Sequence, residues 1–283
     1  MQGLLLAGLL GAILALFAAR VREGLQRAFE RRPATVWLLP VLLTGYFAAA
    51  AAATPNWLLI LIVLAYTAAP TACVWFGAPD FLTIAVLWLP LEFPAPAARL
   101  IAKHAQGFLH SVAYGIAILL AVVLFACVRH IDGMKYNPPR RWRDIWLGVA
   151  GFALTAPVLA VVGIAIGFIP IPHLPSATAG RMASALGIIF AGTALPEEIL
   201  FRALIQNLLM QRFGSGMRVL FVAAVIFGAA HLDNGPQALP NWRYMILATI
   251  AGFAYGKVFQ KSSTVISSAL FHMLVDWTKH FFF

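Results

Sequence analysis

The sequence predicts an all-α polytopic membrane protein, a bundle of about ten transmembrane helices (eight to ten), because apolar runs of spanning length recur along it. Three observations carry that prediction. The 283 residues are 62% hydrophobic and only 11% charged, with a mean hydropathy of +0.87, a composition that leaves a soluble domain without a polar surface. A membrane-spanning helix needs an apolar run of about 17 to 25 residues, the criterion for the spans below, where a β-barrel would show short alternating segments. The basic residues gather in two short stretches beside apolar runs, as orientation signals do. The net charge of +10 is therefore no argument for nucleic acid, which is excluded as a partner; the expected surroundings are the lipid bilayer.

Taken in order, the first span is Leu4 to Ala19. No basic residue precedes this run, so it reads as a retained span and not as a signal peptide. A loop with Arg20, Arg22, Arg27, Arg31 and Arg32 follows. The second span, Val36 to Ala53, stops at the turn signal Thr54-Pro55-Asn56. The third is Trp57 to Trp75. The fourth, Phe81 to Ala97, contains Pro90, Glu92, Pro94 and Pro96 and reads as either a span or a broken, re-entrant segment. The fifth is Phe108 to Val128. A second basic loop, Arg129 to Asp144, carries Arg129, Lys135, Arg140, Arg141 and Arg143 around Pro138-Pro139. It marks the expected boundary between an N-terminal part, 1–144, of unassigned role and a C-terminal core, 145–283. Spans six to ten are Ile145 to Ile169, Met182 to Met210, Val219 to His231, Tyr244 to Phe259 and Thr264 to Trp277. With ten spans both basic loops face the cytoplasm and both termini lie outside. Trp57, Trp75, Trp142, Trp146, Trp242 and Trp277 sit near span ends, as an interfacial aromatic belt does. Cys73 and Cys127 lie in or beside apolar runs without disulfide or metal spacing and read as packing residues.

The seventh span is the anomaly. Glu197, Glu198 and Arg202 sit in the middle of GIIFAGTALPEEILFRALIQNLLM, in a chain with only ten acidic residues. Ionisable groups inside a membrane are costly and mark function by default. On a helix Glu198 and Arg202 share a face and can pair, which leaves Glu197 for a partner from elsewhere. Pro196 is expected to kink the helix or free a carbonyl beside them. The eighth span ends in His231, and the tenth places His272 and Asp276 four residues apart on one face. At ~1.5 Å per residue, Glu197 and His231 each lie roughly 20 Å from one end of their helices, and His272 and Asp276 roughly 12–18 Å, so all four can meet at one depth. Two carboxylates and two imidazoles converging there suit the activation of water better than the joining of helices.

These three elements are Glu-Glu-x-x-x-Arg (Glu197, Glu198, Arg202), Phe-x-x-x-His (Phe227, His231) and His-x-x-x-Asp (His272, Asp276). Together, and in that order, they resemble the CAAX-processing and bacteriocin-processing (CPBP, or Abi) intramembrane proteases, which include the Rce1-type prenyl-protein peptidases. The resemblance covers about Met182 to Trp277 and places a CPBP/Rce1-like core in the C-terminal half. It implies an intramembrane endopeptidase in which Glu197 and His231 deprotonate the attacking water. His272 and Asp276 would hold or polarise the scissile carbonyl, and Glu198 and Arg202 would support them. It implies a membrane-anchored or lipidated protein or peptide as substrate and, with the alanine-rich composition, the inner membrane of a bacterium. A metal-free glutamate mechanism ranks first, because HExxH is absent; a divalent metal such as zinc on Glu197, His231, His272 and Asp276 is the alternative. Relatives often carry asparagine where Asp276 stands, and an ionised aspartate cannot donate a hydrogen bond as asparagine does.

The competing functions are a proton- or ion-coupled transporter, which also uses intramembrane Glu and His, and a non-catalytic scaffold or immunity-type protein of the same fold. Against the first, no inverted repeat is visible and the ionisable groups cluster in one half. Against the second, every residue of the candidate machinery is present. Glu92 reads as a membrane-edge residue, Asp233 and Asn234 as turn formers, and His104, His110, His130, His173 and His280 as residues of loops and span ends.

Overall fold

The computed structural model describes residues 2–52, 56–92, 107–235 and 239–283. Thr54, Pro55, Pro94, Pro96 and His104, and the Glu92 side chain, lie outside the described residues. The described residues form helices and connecting turns, with no strand among them.

The chain divides into two compact units, 1–132 and 133–283. In the first, α1 (Gln2–Ala15) is followed by α2 (Ala19–Arg31). A short 3₁₀ segment leads into α3 (Leu38–Ala50), then come α4 (Trp57–Trp75), α5 (Asp80–Glu92) and α6 (Gly107–Val122), the last continued by a π-wound turn over Val123–Val128. Asn56 caps α4 by accepting from the Leu59 N–H at 3.2 Å, the reason that the helix starts where its apolar run does. The expected first basic loop is instead helix α2, turned 86° from α1. Its residues divide by face: Gln26 bonds the Ala126 carbonyl at 2.8 Å and Phe29 is buried, whereas Arg20, Arg27 and Arg31 are exposed. Five arginines in sequence look like a loop only when the apolar residues between them are ignored. Cys73 and Cys127 are both free thiols.

The second unit opens with 133–144, the stretch that the sequence assigns to the N-terminal part. It clamps the turn between the last two helices. Lys135 Nζ donates to the carbonyls of Phe259, Gln260 and Ser262 at 2.6, 3.1 and 2.9 Å, and Asp144 accepts from Ser263 N at 2.9 Å and Ser263 Oγ at 2.7 Å. A lysine thus terminates a helix whose last carbonyls have no intrahelical donor. Burial holds the Lys135 ammonium below its ordinary 10.5, against the pull of Asp144. The helices are α7 (Trp142–Ala165), α8 (Ala179–Ile189), α9 (Leu195–Glu198), α10 (Asn207–Phe213), α11 (Met217–Ala229), α12 (Trp242–Lys261) and α13 (Ile266–Phe282).

From α8 to α10 the backbone never leaves helical geometry. Two π-wound stretches, Phe190–Ala194 and Ile199–Gln206, join α8, α9 and α10 into one run. Pro196 lies in the four-residue α9 between them. Its missing N–H removes a donor from the ladder, and at the expected kink the helix widens on both sides, a distortion common at functional positions.

Four helical segments among the described residues are long and apolar enough to cross a membrane, or five if the bent α1–α2 pair counts as one. They are Pro33–Ala50, Trp57–Trp75, Gly107–Val128 and Trp142–Ala165 besides that pair. The expectation of about ten is not matched by length and apolarity alone. The shortfall includes α13, which carries His272 and has 17 residues, and α9, which carries Glu197 and has four. The protein is an integral membrane protein of helical architecture.

Helices α11 and α12 pack at backbone distance. A Cβ on Gly228 would stand 2.0 Å from Thr249 Oγ1 and 2.7 Å from the Met245 carbonyl oxygen. Thr249 is itself held, Oγ1 donating to that carbonyl at 2.7 Å, so neither neighbour gives way. One on Gly252 would meet the Phe227 ring at 2.7 Å. Small residues permit this approach, as they do in membrane helix pairs generally. Gly228→Ala is expected to destabilise the second unit by about 1–3 kcal/mol through overpacking. Thermal unfolding in detergent checks this, and an unchanged midpoint would contradict it.

Candidate active site

The second unit brings the residues singled out by the sequence to one place. Arg202 and Glu198 are wholly buried, and Arg202 Nε donates to Glu198 Oε2 at 3.1 Å. They sit four residues apart, as the helical period requires. The guanidinium lies over the rings of Phe227 at 4.6 Å and Tyr255 at 5.8 Å. Its Nη1 and Nη2 atoms have no hydrogen-bond partner among the described residues and are met by aromatic faces instead. The other Glu198 oxygen, Oε1, lies 3.2 Å from His272 Nδ1. A carboxylate only accepts, so Nδ1 donates. Glu198 therefore holds Arg202 with one oxygen and His272 with the other.

Glu197 points elsewhere. Its Oε2 atom lies 4.0 Å from His231 Nε2 and 3.9 Å from His272 Nε2. Both gaps exceed a direct hydrogen bond and suit a bridging water or a reacting group. The side chain keeps 21% of its exposure, against none for Glu198, so Glu197 is the reachable member of the pair.

His231 sits in the turn after α11. Its Nδ1 lies 2.8 Å from the Phe227 carbonyl, an acceptor, which fixes Nδ1 as the donor and turns Nε2 toward Glu197. The Phe-x-x-x-His spacing is what makes this bond: Phe227 supplies the carbonyl from one helical turn back and packs its ring edge-on against His231 and His272, with centroids at 4.8 and 5.7 Å. The Phe227 ring is buried, and its carbonyl orients His231.

On α13, His272 Nε2 lies 3.4 Å from Asp276 Oδ2. Both nitrogens of His272 thus face carboxylate oxygens, which a doubly protonated ring satisfies with two donors. Tyr255 stacks on the same ring with centroids 4.7 Å apart. Trp277, expected at the membrane interface, donates Nε1–H to the Met182 carbonyl at 2.8 Å and ties α13 to α8.

Two cavities adjoin the cluster. One of ≈ 80 Å³ is walled by apolar residues such as Leu247 and Ala251 and touches His231, His272 and Asp276. The other, of ≈ 770 Å³, lies between α8 and α13, with Asp276 in its wall and the basic residues Arg181, Lys279 and His280 around it. Tyr244 and Lys279 border both. The larger is of a size that admits a short peptide. Tyr244, Tyr255 and Lys279 belong to none of the three motifs. Tyr244 stood out only as the first residue of a span, and neither aromatic carries a spacing that ties it to a histidine on another helix.

Among the described residues no three His, Cys, Asp or Glu side chains converge as ligands of one metal ion. The Nδ1 atoms of both histidines are turned to other acceptors, and both Nε2 atoms stand about one water's width from the same Glu197 oxygen. The alternative, a divalent metal on Glu197, His231, His272 and Asp276, would use these Nε2 atoms, and no step below is routed through a metal.

Fold and site together define a class: an integral membrane protein whose helices enclose a centre of carboxylates and imidazoles. Residues 179–278, the segment that carries all three motifs, match the family model described as type II CAAX prenyl endopeptidase Rce1-like. The comparison with curated proteins and that with solved structures gave no match.

Proposed function

We propose that this protein is an intramembrane endopeptidase that hydrolyses a peptide bond in a membrane-anchored or lipidated protein tail. The observation that carries the reading is the position of the Glu197 carboxylate, about one water's width from the Nε2 atoms of two fixed histidines. A water between Glu197 and His231 Nε2 has two acceptors for its proton as it attacks. His231 is already in the right tautomer, because its other nitrogen is spent on the Phe227 carbonyl. His272, gripped between Glu198 and Asp276, places positive charge where the tetrahedral intermediate becomes negative. The apolar cavity beside the histidines accepts aliphatic substrate groups, and the wider one admits a chain. The Rce1-like match over the same residues supports a CAAX-type substrate.

The test uses purified protein in detergent micelles with a fluorescence-quenched peptide that carries a farnesylated cysteine and an aliphatic C-terminal tail, alongside the unfarnesylated peptide. Cleavage of one of them is expected, at a rate unchanged by a strong chelator. Loss of cleavage with chelator and its return with zinc would overturn the metal-free mechanism.

A further inference from the structure

The site as described has acceptors for the attacking water's proton but has committed its own donors. His231 Nδ1–H goes to the Phe227 carbonyl, the two His272 nitrogens to Glu198 and Asp276, and Arg202 Nε to Glu198, while the Arg202 Nη atoms, which have no hydrogen-bond partner among the described residues, are covered by the rings of Phe227 and Tyr255. Asp276 is a carboxylate and, ionised, donates nothing. Acyl transfer needs at least one preorganised donor aimed at the developing oxyanion.

We infer that the hydroxyl of Tyr244 is that donor, an assignment that rests on the peptidase reading above. Four observations converge on it. Tyr244 lies on the first turn of α12 and borders both cavities, so its phenol is reachable by a substrate bound in either. Its ring packs edge-on against His231, centroids 4.6 Å apart, and its hydroxyl lies in the field of the Asp276 and Glu197 carboxylates, which places it at the reacting centre. The ring is held on other sides by Phe168 at 4.8 Å and by the Lys279 ammonium 4.4 Å from its centroid; a donor fixed before the reaction costs no reorganisation during it. Finally, Asn241 Oδ1 accepts from the Tyr244 N–H at 3.1 Å and caps α12, which fixes the backbone that carries the phenol.

The step balances as follows. The water oxygen bonds to the carbonyl carbon, and its proton passes to the Glu197–His231 pair. The carbonyl π electrons move to oxygen, which accepts the Tyr244 O–H hydrogen bond while the phenol keeps its proton. On collapse the C–N bond breaks, and the departing amine takes a proton from Glu197–His231. Asp276 then serves as a positioning residue that orients His272.

The experiment compares wild type, Tyr244→Phe, Glu197→Gln and the double variant Tyr244→Phe/Asp276→Asn on the two peptides above, with thermal unfolding of each. Tyr244→Phe keeps the ring and its packing. It is expected to lower kcat by about 10²–10³-fold, the cost of one lost oxyanion donor, while KM stays within about twofold, as for a contact made only in the transition state. Asparagine at 276 supplies an N–H, so the double variant is expected to regain at least about tenfold over Tyr244→Phe. A purely structural tyrosine gives no such rescue. Cleavage by Tyr244→Phe within about threefold of wild type, with Glu197→Gln inactive, overturns the assignment and leaves the peptidase reading intact. A loss confined to KM, or no rescue in the double variant, overturns it too. Should the phenylalanine variant fold poorly, 3-fluorotyrosine at 244 changes the acidity and not the shape, and an unchanged kcat-against-pH profile overturns the assignment. If wild type cuts neither peptide, or Glu197→Gln still cuts, the peptidase reading itself falls and takes the assignment with it.

Discussion

Glu197→Gln is expected to lower kcat on the peptide substrates by about 10³–10⁴-fold, the upper range for a general base, while the protein keeps its fold. The substitution is close to isosteric and removes a charge at a side chain that retains 21% exposure, so no buried partner is left without its counter-ion. The neighbourhood gains by it, if anything. Glu197, Glu198 and Asp276 all face His272, and removing one of three carboxylates relieves their mutual repulsion. Folded-state stability and activity are thus expected to move independently. Because Glu197 and His231 act on one water, His231→Ala is expected to cost about as much alone, and the double variant little more than either single one. Turnover by Glu197→Gln near the wild-type rate would sink the mechanism. Fully additive losses would mean that the two residues serve different steps.

How much of this centre was legible beforehand follows from what one helix can encode. Glu198–Arg202 and His272–Asp276 are contacts at the helical period, so the spacing predicts them and the distances of 3.1 and 3.4 Å follow. The unequal placement of the two glutamates was also readable, because adjacent residues on a helix point about 100° apart. The bond from Glu198 Oε1 to His272 was not, since it joins helices whose depth and rotation no spacing fixes. Tyr244 is the sharpest case. It follows Trp242 at a helix start, where an aromatic looks like membrane-interface packing, and only the fold turns its ring onto His231. The π winding around Pro196 escaped for a different reason. Periodicity arguments assume a constant turn, so one proline suggests a kink but not that the flanking backbone widens. The arginine-rich helix α2 was mistaken for a loop because its charges were counted and its apolar face was not.

Arg202→Met is expected to produce the largest loss of stability, about 3–5 kcal/mol, as when one partner of a buried pair is removed. Glu198 is wholly buried and would keep only His272 as a counter-charge. Methionine fills much of the space between Phe227 and Tyr255 but offers no donor. Thermal unfolding in detergent measures the effect, and a shift no larger than for a surface arginine such as Arg27 would contradict it. The double replacement Glu198→Met/Arg202→Met separates two explanations for the pair. Two apolar side chains in place of a buried ion pair are often neutral or stabilising, so most of the lost stability should return. His272 Nδ1 would then lack the acceptor that holds it at 3.2 Å, and the ring would turn toward Asp276 alone. Cleavage should therefore stay low in a protein that folds well, with the deficit in kcat and not in KM. Recovery of both stability and activity would mean that the pair only holds helices together. Recovery of stability alone means that the pair is kept, at a cost in desolvation, because it sets the histidine that faces Glu197.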